Sequence, residues 1–155
     1  MLKISAKSEY GMLALLYLTC HSASGPVAVT TMADDLDIPR RFLEQIVAEF
    51  KHRGLVESLR GAKGGYRLSK DPTSITMREI FRVTEGSFFQ WTEASAANAC
   101  ADATPNLRVI RDAWTTVQGS VNDVLGSITL QQMCDRAKQL QSDGPAVAVA
   151  AGRAV

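Results

Sequence analysis

Pro39-Arg-Arg-Phe-Leu-Glu-Gln-Ile-Val-Ala-Glu-Phe-Lys-His-Arg-Gly-Leu-Val-Glu-Ser-Leu-Arg-Gly-Ala-Lys-Gly-Gly-Tyr-Arg-Leu68 carries the pattern that decides the fold. Its first half places Phe42, Leu43, Ile46, Val47 and Phe50 at i, i+3, i+4 spacing, the apolar stripe of an amphipathic helix. Pro39 suits the entry to that helix, because a first-turn residue has no intrahelical partner for its N–H. Gly54 supplies the stop. Leu55 to Leu59 then reads as a strand and Tyr66-Arg67-Leu68 as its partner. The intervening Arg60-Gly-Ala-Lys-Gly-Gly65 forms a glycine-rich basic tip. Arg40, Arg41, Glu44 and Gln45 gather at the helix start, so one short stretch offers a polar helix end and a basic hairpin together.

Upstream, Ser5 is positioned to cap a first helix reaching Ser22, with Tyr10, Leu13, Ala14, Tyr17 and Leu18 at helical spacing. Ser22-Ala-Ser-Gly-Pro26 breaks it. A second helix is predicted from a hydroxyl cap at Thr30 or Thr31 to Leu36, with Met32, Ala33 and Leu36 inward and Asp37-Ile38-Pro39 as the break. Downstream, Asp71-Pro72 turns the chain and Thr76 caps a fourth helix through Val83, ended by Glu85-Gly86. Periodicity then fades from Ser87 to Thr104, which reads as a loop. Pro105 opens a long helix, Asn106 to about Leu125, striped by Leu107, Ile110, Trp114, Val117, Val121 and Val124. Such a stripe calls for a covering helix from a second subunit. Ser127-Ile-Thr-Leu130 starts a last helix to Leu140, and the Ala/Val/Gly-rich tail from Gln141 lacks packing groups.

The fold class is therefore mainly α with a small β wing. It comprises a winged helix-turn-helix domain over residues 1–86, a sensor-type loop over 87–104, and a dimerisation helix with its short follower over 105–140. The remaining 141–155 read as a disordered tail.

Bulk properties agree with such a chain. Its 155 residues suffice for a hydrophobic core without a metal or disulfide staple. Net charge is only +1, but residues 1–82 hold 12 Lys and Arg against 9 acidic groups, while the remainder holds 5 against 7. The N-terminus carries no apolar signal core, and the longest apolar run falls short of a bilayer span, so a cytoplasmic protein without a membrane role is expected. Cys20, Cys100 and Cys134 are widely spaced, which excludes a zinc ribbon or finger and suggests free thiols. The two histidines, His21 and His52, assemble no catalytic set, so an enzyme is not expected.

A recognition helix enters the major groove N-terminus first. Arginine there suits guanine, glutamine suits adenine, and glutamate accepts from cytosine. Arg40, Arg41, Glu44 and Gln45 are thus candidate base readers, and Arg60 and Lys63 candidate phosphate or minor-groove contacts. Lys3, Lys7, Lys51 and Arg53 are further candidates for the phosphate backbone. As a nucleotide cradle, Gly61-Ala-Lys-Gly-Gly65 fails, because it lacks the Walker spacing. A winged-helix module used for protein contacts is the alternative outside DNA binding.

These residues resemble the Rrf-two (Rrf2) family of bacterial regulators, which includes iron–sulfur-cluster, nitric-oxide and cysteine-metabolism regulators. The resemblance is carried by Ile4-Ser-Ala-Lys-Ser-Glu-Tyr10, Phe42-Leu-Glu-Gln45, Gly54 to Tyr66, Ile75-Thr76, Glu85-Gly86 and Ile128-Thr-Leu130. It implies a winged-helix homodimer on double-stranded DNA, with the helix from Asn106 crossing its partner. It also implies that Glu44, Gln45 and Arg60 occupy DNA-contacting positions. Cluster-binding relatives carry three close cysteines before the long helix. Here Cys100 stands alone, and Arg108 and Arg111 fill the places of the last cysteine and histidine. Arginine stays protonated and ligates no metal, so no resident cofactor is expected.

Four signals remain open. Cys100 is a candidate redox sensor. An atypical iron–sulfur cluster would recruit Cys100 with Cys134, Cys20 or Glu9, although Glu9 reads more simply as a surface glutamate and the other two cysteines as small buried hydrophobes. Phe88, Phe89 and Trp91 would either line an effector pocket or pack between the long helix and the DNA-binding domain. A partner protein is the fourth source.

Overall fold

The computed structural model describes residues 4–61, 64–86 and 104–143. In chain order it contains α1 (Ala6–Cys20), a 3-10 turn (Ser22–Ser24), α2 (Val29–Leu36), α3 (Arg40–His52), β1 (Val56–Leu59) and β2 (Gly65–Leu68). Then follow α4 (Met77–Thr84), α5 (Pro105–Ser127) and α6 (Leu130–Asp143).

Helix α1 is the central post. It buries Ala14, Leu15 and Leu18 against Met32 and Ala33 of α2, Leu43, Ile46, Val47 and Phe50 of α3, and Ile80 and Val83 of α4. Each large side chain in that cluster contributes roughly 1.5–3 kcal/mol by leaving water. Gly11 sets how closely α1 and α3 approach, since a Cβ there would sit 2.8 Å from Phe50 Cζ.

The turn between α2 and α3 is built on Asp37, whose left-handed backbone (φ 51, ψ 43) closes α2. Aspartate is one of the few non-glycine residues that accept this region readily. Ile38 N–H then donates to the Ala33 carbonyl at 3.0 Å, and the Ile38 side chain plugs the turn.

Helix α2 departs from the expected hydroxyl cap: it starts at Val29 with Ala28 as N-cap and no side-chain cap bond. The cause lies in the sheet. Val27 exchanges two backbone hydrogen bonds with Tyr66, at 2.9 and 2.8 Å, which holds the chain extended through Ala28 and leaves Thr30 exposed inside the helix.

Strands β1 and β2 pair antiparallel, Val56 opposite Leu68 and Leu59 opposite Gly65, forming the expected wing. Gly65 is required by close approach. A Cβ on it would lie 2.5 Å from both the carbonyl carbon and the oxygen of Val27.

The hydrophobic core does not stop at residue 86. After α5, Leu130 N–H bonds the Ile75 carbonyl and Gln131 N–H that of Pro72, while Met77 N–H bonds the Ile128 carbonyl. Thr129 and Gln132 form a reciprocal capping box that starts α6. Leu130 and Cys134 are then buried, and α6 packs on α1. Helix α6 runs to Asp143, three residues past the expected end at Leu140. Gln141 and Ser142 contain no breaker, and Ser142 bonds back to the Gln139 carbonyl. The rest of the expected tail lies outside the described residues.

Helix α5 spans 23 residues, one earlier and two later than expected, and none of them is buried. At 1.5 Å per residue it is about 34 Å long. Leu107, Val109, Ile110, Val117 and Val124 are exposed along it. Its C-terminal part leans on α4, where Arg78 donates to the Asn122 carbonyl at 2.8 Å and faces Asp123 at 3.8 Å.

Candidate DNA-binding surface

Helix α3 is held by its apolar side and by three polar or aromatic braces. Tyr10 of α1 meets Phe42 edge-on at 5.7 Å. Lys7 pairs with Glu49 at 2.7 Å. Lys51 donates to Ser58 of β1 at 2.6 Å, tying the far end of α3 to the wing. Arg40, Arg41, Glu44 and Gln45 all fall on the exposed side, at the free end of the helix.

Arg40 and Glu44 form an i,i+4 ion pair at 2.8 Å, with side chains 63% and 46% exposed. Such an exposed pair adds only about 0–1 kcal/mol to stability. Its consequence is orientational, because Glu44 fixes the Arg40 guanidinium over the first turn. A shallow groove lined by Ala28, Val29, Thr30, Arg40, Glu44 and Tyr66 separates the starts of α2 and α3 from β2.

Side-chain caps close three of the six described helices, while α2, α3 and α5 have none. Ser5, Thr76 and Thr129 cap α1, α4 and α6 with their side chains. Ala28 and Pro39 give α2 and α3 no side-chain cap. The exposed start of α3 at Arg40 and Arg41 lies at the positive end of its helix dipole, where phosphate oxygens are favoured.

On the wing, Arg67 pairs across the strands with Glu57 at 2.6 Å and is thereby occupied. Arg60 is exposed where β1 runs into the tip. Gly61 follows it with φ 116, a value that favours glycine. Lys63 and Lys3 lie outside the described residues. Lys7 and Lys51 belong to the braces already named, and Arg53 is exposed as the C-cap of α3.

The sensor candidates divide differently. Cys100 and Trp91, with Phe88 and Phe89, lie outside the described residues. Glu9 is exposed on α1, eleven residues before Cys20 and so about 16 Å along the helix from it. Cys134 is buried, and its thiol is near enough to that of Cys20 to act on it. Glu9 therefore cannot share one cluster with Cys20 and Cys134. Arg108 and Arg111 stand on α5, and among the described residues no group of three or more His, Cys, Asp or Glu side chains could hold a metal ion. The described donor set does not fit an iron–sulfur cluster.

Two features escaped the sequence. Glu85 accepts hydrogen bonds from the Ser5 and Ser8 hydroxyls and, at 3.2 Å, from Ser5 N–H, so it closes the N-terminus of α1 from the end of α4. These hydroxyls hold its carboxyl below the usual range, against the opposing effect of burial. The spacing of 80 residues hid that partnership. The second is the meeting of Cys20 and Cys134, for which a cysteine in each of two separately striped helices was the only available clue.

A helix-turn-helix beside a two-stranded antiparallel hairpin defines the winged-helix class of DNA-binding regulators. Residues 4–136 match the Rrf2 family, described as an iron-dependent transcriptional regulator. The chain is 33% identical over 132 residues to the HTH-type transcriptional regulator CymR of Bacillus subtilis, covering 85% of this chain and 89% of that one. The solved structure of that global cysteine regulator superposes with a TM-score of 0.72 at 34% identity, covering 88% and 98% of the two chains. The structure of T. potens IscR gives a TM-score of 0.73 at 36% identity, covering 90% and 91%. This chain belongs to the Rrf2 family of transcriptional regulators. Its relatives are regulators rather than enzymes.

Proposed function

We propose that this protein acts as a homodimer that binds a palindromic operator in double-stranded DNA and regulates transcription in response to a redox, small-molecule or protein signal. The observation that carries the DNA reading is the exposed, uncapped start of α3, with Arg40, Arg41, Glu44 and Gln45 presented together beside the wing. Arg40 and Arg41 read guanine or phosphate, Gln45 adenine, and Glu44 cytosine, while Arg60 and the tip lysine Lys63 hold the flanking backbone. Lys51 and Lys3 serve the same flanking role, Lys51 through the Ser58 contact that sets the wing angle.

The dimer reading rests on α5. A 23-residue helix with no buried residue and six large apolar side chains exposed needs a cover, and a second α5 supplies one of matching length and character. Two-fold pairing would set the two α3 helices about one DNA turn apart, roughly 34 Å. The regulatory segment is assigned to 87–104, between the DNA-binding unit and α5, with Cys100 and Trp91 as its candidates.

The test is fluorescence anisotropy with a duplex from the gene's own upstream region across a salt series, alongside light scattering on the wild type and Val117→Glu. Dimeric wild type, monomeric variant and a steep fall of affinity with salt are expected, each phosphate contact adding about −0.9 to the log–log slope. No binding at low salt refutes the regulator reading, and a dimeric V117E protein refutes the α5 interface.

A further inference from the structure

Cys20 is the last residue of α1 and Cys134 stands in the second turn of α6, on the face that packs against α1. Cys134 is 1% exposed, whereas Cys20 is half-buried at the surface side of the contact. The Cys134 thiol is near enough to Cys20 to act on its ionisation, with Lys138 and Asp135 of α6 as neighbouring charges. His21, next in the chain, is turned away and stacked on Tyr17 at 4.0 Å. A half-buried thiol and a sheltered one thus stand on two helices that pack together, the post of the DNA-binding core and the helix that follows α5.

We propose that Cys20 and Cys134 are a reversible oxidation site, forming an intrachain disulfide that clamps α6 onto α1. A hydroperoxide serves as oxidant. The Cys20 thiolate attacks one peroxide oxygen, the O–O bond breaks, and the sulfur becomes a sulfenic acid while hydroxide leaves and takes up the thiol proton as water. The Cys134 sulfur then displaces the hydroxyl from Cys20, and its proton leaves with that hydroxyl as a second water. Two thiols lose two electrons and two protons, and hydrogen peroxide becomes two waters. A small thiol reverses the bond by exchange.

Burial, together with the Cys134 contact, pushes the Cys20 thiol up to about 11. The thiolate is the reactive form, so oxidation is slow at pH 7 and quickens about tenfold per pH unit up to pH 9. The pair answers sustained oxidation rather than a brief pulse. Its effect on operator affinity rests on the DNA-binding reading above, whereas bond formation does not.

The experiment uses the full chain, reduced and then treated with hydrogen peroxide at pH 7 and pH 9. The protein is alkylated, digested without reduction and mapped by mass spectrometry, for the wild type and for Cys100→Ser, Cys20→Ser and Cys134→Ala. A Cys20–Cys134 cross-linked peptide is expected in the wild type and C100S, forming faster at pH 9, and absent from C20S and C134A. Oxidised C100S should melt roughly 10 °C higher than the reduced form, because the bond closes a loop of more than 100 residues. A cross-link found only after unfolding in guanidinium, or only between Cys100 and another cysteine, overturns the proposal. Anisotropy on the reduced protein is read in parallel. Loss of DNA binding there refutes the regulator reading and leaves the disulfide result standing.

Discussion

Replacing Gly65 with alanine tests the joint between wing and core more sharply than any charge change. The new Cβ would lie 2.5 Å from the carbonyl carbon and oxygen of Val27 and 2.9 Å from the Ala28 nitrogen. All three are backbone atoms, so no side-chain rotation relieves the contact, and β2 must move away from Val27. That movement breaks the two Val27–Tyr66 hydrogen bonds of 2.9 and 2.8 Å. Two such bonds are worth about 1 kcal/mol each, and the steric insertion costs a further 1–3 kcal/mol. A loss of roughly 3–5 kcal/mol lowers Tm by roughly 10 °C for a chain of this length. Gly119→Ala is the matched control. It sits mid-helix in α5 with nothing within 4 Å of the added Cβ, and helical spacing places it opposite the exposed apolar stripe. Removing a helical glycine should raise stability by about 1 kcal/mol. Thermal unfolding by circular dichroism at one fixed protein concentration checks both. A G65A protein melting within 2–3 °C of wild type, roughly 1 kcal/mol, refutes the close approach of β2 to Val27.

Arg60→Ala should weaken operator binding without lowering Tm, and a dimer losing two such contacts should show a salt slope shallower by about 2; an unchanged slope removes Arg60 from the phosphate contacts. Glu44→Ala should redistribute base preference at one position of each half-site more than it lowers affinity, because it removes an acceptor and frees Arg40 from its 2.8 Å tether. An unaltered selected-site profile counts against that role. Glu85→Gln should flatten the acid limb of stability. The Glu85 pKa is lowered in the fold, so its stabilisation is present above the ordinary value of 4.5 and is lost as pH falls through and below it. Parallel Tm curves for E85Q and wild type between about pH 3 and 7 would mean that the Ser5 and Ser8 hydrogen bonds carry no net weight.

What the sequence disclosed was local in its physics. The α3 stripe from Phe42 to Phe50, the glycine after it and the basic hairpin each depend on neighbours a few residues away, and each stands where the pattern put it. The α2 start was missed because a hydroxyl at Thr30 resembles a cap, while the real determinant is a β-bridge from Val27 to Tyr66 nearly 40 residues on. The Glu85 cap of α1 and the Cys20–Cys134 meeting are longer-range still. Composition and periodicity report which face of a helix is buried. They do not report which other face it meets. The exposure of Arg40, Arg41, Glu44 and Gln45 was legible because polar residues at a helix start are themselves a local pattern.

The same distinction explains why α5 and α6 differ so much despite similar apolar patterns. Both carry helical stripes, yet Leu130 and Cys134 of α6 are fully buried by the chain's own α1, whereas Leu107, Ile110, Val117 and Val124 of α5 remain exposed. The short link through Ile128 and Thr129 is the reason. Its hydrogen bonds to Met77 and Gln132, with those of Leu130 and Gln131 to Ile75 and Pro72, fix α6 against the core and leave α5 projecting by its N-terminal part. A projecting helix rooted at Arg78 and at residues 128–131 would give the proposed partner subunit a lever on α4. Since Glu85 at the end of α4 holds Ser5 and Ser8 at the start of α1, a shift of α5 in such a dimer would reach the post on which α3 is braced through Lys7 and Tyr10.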